Sequence, residues 1–274
     1  MRIVHAAYVA LSAFALCTVM SAARPALAAP GTAAPDFSGF YVRVGDLWFD
    51  PILDDNEGKP IERLEVKGPD AEDIWAGDSD NPILQPWARE IVKKNADSEL
   101  RLEHVYTADD SCWPSGVPQA VNLLDEVQFL QTKDRVTILY RRDHQVRHVY
   151  LNVPHSQNPK PSWYGESVGH YEDGALVVDT IGFNLNDKTF VDRWGTPHSE
   201  QLHLIERYKP SADGRTMTLE VTYDDPKAYT MKWGSLIRYR KGGGMPVEVA
   251  CAESTVDPAT GLANPIPVAA KPDF

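Results

Sequence analysis

The sequence is poor in the residues that announce most kinds of chemistry. It holds three cysteines among 274 residues, too few and too scattered for the Cys-x-x-Cys pairs of a zinc site or for a dense disulfide scaffold. It has no run of lysine or arginine. Its 27 basic side chains are outnumbered by 39 acidic ones, for a formal net charge of −12, and nucleic acid is bound by clustered cations. A polyanion is therefore not an expected partner. After the first 28 residues no segment is apolar for the roughly 20 residues that a spanning helix needs, so no membrane span is expected. No internal repeat, coiled-coil heptad or cofactor fingerprint is present either. What remains is an ordinary globular composition, 43% hydrophobic and 24% charged, with seven Trp and eleven Tyr.

The N-terminus reads as a targeting segment. Arg2 opens a short basic region, Ala6 to Met20 is apolar but too short to span a bilayer, and Ala26-Leu27-Ala28 is an A-x-A cleavage pattern. Cleavage after Ala28 is expected, leaving an exported chain, periplasmic or extracellular. Cys17 follows Leu16, where a lipoprotein box wants a small residue. Losing Arg2 and Arg24 but no acid takes the formal charge to −14. Export leaves Cys112 and Cys251 where disulfides persist, and they are expected to pair, the alternative being two buried thiols. In the chain-entropy picture that closure would stabilise the fold by roughly 5 kcal/mol.

Organisation follows from punctuation and period. Residues 29 to 36 form a small-residue leader, and Asp36 to Val42 a first strand entered by a turn. Between 50 and 125, Pro51, Pro60, Pro69, Pro82, Pro86, Pro114 and Pro118 exclude long strands. One helix is expected there, started by Pro86, with Trp87, Ile91 and Lys94 on one face to Asn95, and the region is expected to wrap or plug something. After Asp125, Val136, Ile138 and Tyr140 alternate against Thr137 and Leu139, and Val146, His148 and Tyr150 follow a turn near Asp143, a hairpin. Asp173-Gly174 and Asp213-Gly214 mark two more. Tyr229, Met231, Trp233, Ile237 and Tyr239 share one face of a strand over 229–240. Eight or more strands without alternating helices predict a mainly β fold. We expect an antiparallel lipocalin-like β-barrel over 29–254, with a β-sandwich as alternative and a loose tail over 255–274.

Three stretches carry candidate chemistry. Gly165-Glu166-Ser167-Val168-Gly169 matches the G-x-S-x-G nucleophile elbow, with Asp179 and His198 following in triad order. An elbow needs a helix after its serine, yet a hairpin through Asp173-Gly174 is expected, so glycines that let a strand bend are the better account. Asp179 lies within the apolar run Leu176 to Phe183, where an ionised carboxylate must find hydrogen bonds or a cation; it is a candidate general base or a loop-locking acceptor. The densest stretch is Asp192 to Arg207. As a strand, 201–208 puts Leu202, Leu204, Glu206 and Tyr208 on one face and His203, Ile205 and Arg207 on the other. Either face carries an ionisable group inward, fit for acid–base work or for a structural ion pair. The seven histidines after His5 lack helical H-x-x-x-H context, so no metal is expected.

Four motifs together resemble a large group of exported bacterial proteins: Cys112-Trp113-Pro114-Ser115-Gly116-Val117-Pro118, Trp163 to Glu172 as W-x-G-x-S-x-G-x-[WY]-E, Leu176 to Asn184 as L-V-V-D-T-x-G-F-N, and Pro197 to Arg207 as P-H-S-x-x-L-H-x-x-E-R. The resemblance covers residues 36 to 253. It implies export and a shared fold and brings no assigned activity. Ser38-Gly39-Phe40-Tyr41 is similar to the G-x-W opening of lipocalin-like barrels, with Tyr41 in place of Trp, and Asn152-Val153-Pro154-His155 departs from the group's Asp-Gly-Arg-x-His-Pro turn.

The expected function is binding of a small, partly apolar molecule through a polar cluster at one end of the barrel. Its candidate polar contacts are His203, Glu206, Arg207 and Asp179, with His198, Asn184, Asp192, Trp163 and Ser167 around the ligand. The alternative is a cofactor-free acid–base lyase, isomerase or hydrolase in the same barrel. There His203 or Asp179 would move a proton and Arg207 would steady developing negative charge. A third reading is an envelope component with a filled barrel and an ion-pair network.

Overall fold

Period-two alternation is the rule that builds this molecule, and it holds on almost every strand. A computed structural model describes residues 35–44, 50–52, 63–65, 75–77, 79–101, 108, 112–123, 125–141, 145–186, 188–192 and 194–243, all within one compact unit, Ala34–Phe274. The expected signal peptide, Cys251 and the C-terminal tail lie outside the described residues.

The chain runs through β1 (Gly39–Val44), β2 (Asp50–Ile52), β3 (Arg63–Glu65), β4 (Trp75–Gly77), α1 (Pro86–Leu100), α2 (Gln119–Asn122), β5 (Val127–Gln131), β6 (Arg135–Tyr140), β7 (Val146–Leu151), β8 (Glu166–Glu172), β9 (Ala175–Ile181), β10 (His203–Pro210), β11 (Thr216–Asp224) and β12 (Trp233–Lys241). Strands β1 and β5 to β12 pair in order, and β12 returns to β1 through Tyr41–Lys241 to Val44–Arg238, closing a nine-stranded barrel. Strand β2 adds to the far part of β12, and β3 pairs β4 separately. The barrel is mixed rather than purely antiparallel: β7 and β8 run parallel through Val149–Ser167 to Leu151–Gly169. A parallel pair needs a crossover of a dozen or more residues, and residues 152–165 supply it.

The inward faces are largely those the alternation implies. Val136, Ile138 and Tyr140 of β6, Leu176 and Val178 of β9, Leu204 and Tyr208 of β10, and Leu219, Val221 and Tyr223 of β11 are buried in one core. Strand β5 was not anticipated; it buries Val127 and Phe129, and Phe129 meets Tyr41 and Tyr208 edge-on at 5.5 and 5.3 Å. Fully burying one such side chain stabilises by about 1.5–3 kcal/mol. The hairpin turns fall where expected, Asp173 and Gly174 both having positive φ, 49° and 74°, as a type I′ turn requires.

Three expectations are corrected. Strand β7 faces the other way: Arg147, Val149 and Leu151 point inward and Val146, His148 and Tyr150 outward. The apolar look of Val146 and Tyr150 misleads because Arg147 finds a hydrogen-bond partner for each of its donors in the interior. The helix continues to Leu100, and its buried face is Ala88, Val92 and Ala96 rather than Trp87, Ile91 and Lys94. Small side chains let it pack closely, while the exposed Trp87 donates its indole N–H to the Lys227 carbonyl at 2.7 Å. The last strand starts at Trp233, not 229, because the Asp225 carbonyl and carboxylate fold 225–229 into a turn by accepting from the Tyr229 and Ala228 amides.

One end of the barrel is covered. The segment 112–123 buries Val117, Ala120 and Val121 in the core, as the plug expected for this region. Asn122 donates to the Val191 carbonyl and to the Tyr223 hydroxyl, and accepts from that hydroxyl, while Arg43 donates to the Asn122 carbonyl at 2.7 Å. Residues 183–186, 188–192, 194–202 and 225–232 complete the cover, held by Asn95 to the Gly195 carbonyl and Tyr229 to the Pro197 carbonyl, each at 2.8 Å.

Candidate functional site

Three polar assemblies lie on strands β7 to β10, on two sides of the same wall. The first is inside. Arg147 (β7) reaches across to Glu206 (β10): Nη1 donates to Oε1 at 3.0 Å and Nη2 donates to Oε2. Its remaining donors go to Ser167 Oγ (2.9 Å), the Tyr140 hydroxyl (3.2 Å) and Thr180 Oγ1 (2.7 Å), and Tyr208 donates to Glu206 Oε1 at 2.7 Å. Every guanidinium N–H has an acceptor, and Arg147 and Glu206 are 2% and 0% exposed. Burial by itself would lower the guanidinium pKa of Arg147, but the Glu206 carboxylate, helped by Tyr140 and Tyr208, outweighs it and raises that pKa. Burial, with Glu206 adding to it, also drives the Tyr208 hydroxyl well above its ordinary value. This is the structural ion pair of the two roles weighed for Glu206: a pair in the core with every guanidinium donor used and the carboxylate sealed from solvent.

The second assembly is outside, on the opposite face of the same strands. Asp179 (β9) accepts through Oδ1 from His203 Nε2 (β10) at 2.7 Å and from His155 Nε2 at 2.9 Å. His155 Nδ1 faces Glu166 Oε1 (β8) at 3.1 Å, and Glu166 accepts from the Ser156 amide and hydroxyl, both at 2.7 Å. Burial pushes the Asp179 carboxyl up, but the two imidazoles prevail and hold it below the usual range. The same bond raises His203. Glu166 is held low chiefly by Ser156. His203 also faces Asp224, which is paired to Lys232 at 2.8 Å.

The third is a cleft of about 550 Å³ where β7 and β8 part. Its walls are Val146, Arg147, His148 and Tyr150 of β7, Glu166 and Ser167 of β8, and the crossover residues Ser156, Asn158, Lys160, Ser162, Tyr164 and Gly165. The parting is local: β7 and β8 pair only at three positions, so the ladder opens beside Val146 and Arg147. Serine and glutamate at the start of β8 thus link the three assemblies, Ser167 to the core pair and Glu166 to the outer chain.

The expected cluster of His203, Glu206, Arg207 and Asp179 is therefore divided. Asp179 and His203 meet outside the barrel, Glu206 is sealed inside, and Arg207 lies outward in an exposed pair with Glu172 at 3.1 Å. Of the expected ligand contacts only Ser167 lines the cleft. Asp192 caps its own loop through the Trp194 and Thr196 amides and the Thr196 hydroxyl. His198 is buried against Phe183 with Nδ1 at 3.1 Å from the Ser199 carbonyl, and burial lowers its pKa. Asn184 joins the crossover by its amide to the Ser162 carbonyl, and the Trp163 carbonyl accepts from the Val117 amide. These residues build the cover and its seam. Ser167 bonds Arg147 and Thr180, not a histidine, and β8 turns directly into β9, so the nucleophile elbow is absent here.

Sequence reasoning did not single out Arg147, Ser156, His155 as a bonded group, or Glu166 as its partner. Arg147 had one available signal, its period-two spacing with Val149 and Leu151. Among the described residues no group of three or more His, Cys, Asp and Glu is arranged to hold a metal ion, and no helix is long and apolar enough to cross a membrane. The sequence matches no protein-family model and no curated protein.

Proposed function

We propose that this is an exported barrel protein that binds a small, partly apolar molecule through the side of the barrel, in the cleft between β7 and β8. The observation that carries the reading is the cleft itself, about 550 Å³ in volume and walled by Val146, Tyr150 and Tyr164 together with serine, asparagine, histidine and lysine side chains. A mixed lining of this kind, in a cavity within the size range of ligand sites, is what small-molecule recognition uses. The covered end of the barrel favours lateral entry over entry through a mouth. Export follows the Arg2 to Ala28 segment, and in that compartment Cys112 pairs with Cys251. Native mass spectrometry of the mature protein purified from its exporting host tests the reading. An organic adduct is expected, lost on Asn158→Trp, which fills the cleft from an exposed position. An adduct that survives that replacement, or a bare mass with no cleft amide moved by a set of aromatic fragments, would overturn it.

A second reading rests on a separate observation, the Asp179 carboxylate between two imidazoles. An Asp–His203 pair with the histidine pKa raised and its side chain 40% exposed has the makings of a general base, in a cofactor-free acid–base enzyme acting at the outer wall. In that case His203→Ala lowers turnover of an identified substrate by about 100-fold or more. Unchanged turnover would remove the catalytic role.

A further inference from the structure

The lining of the cleft has an uneven charge ledger. Three full charges border it, and two are committed. Arg147 gives all its N–H groups to Glu206, Ser167, Thr180 and Tyr140, and Glu166 accepts from Ser156 and faces His155. Among the described residues, Lys160 has no hydrogen-bond or ion-pair partner. The Tyr150 hydroxyl and the Asn158 amide are likewise uncommitted.

Lys160 is also held in place from both sides. Ser162, two residues on, donates its amide to the Gly182 carbonyl at 3.1 Å, accepts from the Asn184 amide at 2.9 Å and bridges to Phe183. Ser156, four residues back, is fixed on Glu166. Lys160 therefore lines the cleft from an anchored stretch of the crossover, in a lining shared with Tyr150 and Tyr164.

We infer that, given binding in this cleft, the ligand is a small monoanion with a flat apolar body, an arylcarboxylate in chemical class, whose carboxylate pairs with Lys160. The net charge of −12 opposes anions only at long range, where salt screens beyond about 8 Å. Across a contact of about 4 Å at the surface, one ammonium–carboxylate attraction is several-fold larger than in bulk water. The ring lies between Tyr150 and Tyr164, where offset or edge contacts with aromatic side chains are available, and Asn158 donates to the second carboxylate oxygen.

Titration of the full mature protein with benzoate and with its neutral isostere benzamide, followed by amide NMR, tests the inference. Benzoate is expected to move amides of 156–167 and 146–150 with a Kd about tenfold or more below that of benzamide. Lys160→Met should bring the two within about twofold, while Lys160→Arg keeps the preference. Since the Lys160 side chain is exposed and unbonded, both variants should give the parent spectrum outside the cleft. Equal binding of the two compounds, or a preference that survives Lys160→Met, overturns the ligand class and leaves the cleft as a binding site. Failure of both compounds to move any cleft amide overturns the ligand class together with the binding reading on which it rests.

Discussion

At the residue scale, the buried Arg147–Glu206 pair and the outer Asp179–histidine group make opposite demands. A saturated pair in the core tolerates no partial removal. Glu206→Ala leaves an uncompensated guanidinium among Tyr140, Thr180 and Tyr208 and should cost about 3–5 kcal/mol in urea unfolding. The double replacement Arg147→Met with Glu206→Leu should recover much of that loss; a double variant as unstable as the single one would show that the pair itself, not the stranded charge, sets the cost. The outer group instead responds to pH. His203 binds its proton more tightly folded than unfolded, so its contribution is complete below the ordinary histidine value of about 6.5 and fades as pH rises through the raised folded value. Asp179, held low, contributes fully above its ordinary value of about 3.9 and fades as pH falls through its depressed one. Coupling between Asp179→Asn and His203→Asn, from a double-mutant cycle in urea, should therefore be greatest between about pH 4 and 6.5 and smaller at pH 9. The two faces of β10 were legible as sets, Glu206 on one and His203 with Arg207 on the other, but which of them turns inward was not, because each carries an ionisable group. The joining of Asp179 to His155 was not, because it depends on where a crossover loop lands on the sheet, and no local pattern encodes that.

At the scale of elements, the weak join is β7 with β8 and the tight one is β8 with β9. Gly169 sits where both meet: a Cβ there would lie 2.8 Å from Val149 Cγ1 and 2.9 Å from the Val177 carbonyl oxygen. Gly169→Ala must then push β7 away from β8, at a cost of about 1–3 kcal/mol, and should shift the amides of Val149 to Leu151. An unperturbed β7 spectrum would mean that the wall yields elsewhere. Hydrogen exchange should rank the ladders in the same sense. Amides of β7 at its Val146 end exchange faster than those of β10 and β11, which pair continuously from His203–Asp224 to Pro210–Met217, because exposed and unpaired backbone opens first. Hairpins were readable in advance because Asp-Gly turns and alternation are local. The splayed seam was not, since Val146 and Tyr150 look like core residues until the neighbouring strand is known to leave them.

For the whole molecule, the proposed Cys112–Cys251 bond is checked by mass after reduction and alkylation: both thiols should label only once reduced, and labelling without reductant would rule the bond out. The fold class, a closed barrel with a covering region rich in proline, was legible from composition and turn spacing. The parallel seam that opens into the cleft was not, and its existence follows from counting. Around a closed ring, each antiparallel neighbour reverses the direction of the chain, so the reversals must come to an even number before the ring meets itself. Nine strands make nine joins, and nine is odd. One join is obliged to be a mismatch, much as a ring of nine alternating magnets must somewhere set two alike side by side. This chain puts its mismatch between β7 and β8. The return loop that such a mismatch demands is the one that brings His155, Ser156 and Lys160 over the wall, so the odd strand count obliges the barrel to have a seam of this kind, and the chain's choice of join sets where the proposed site lies.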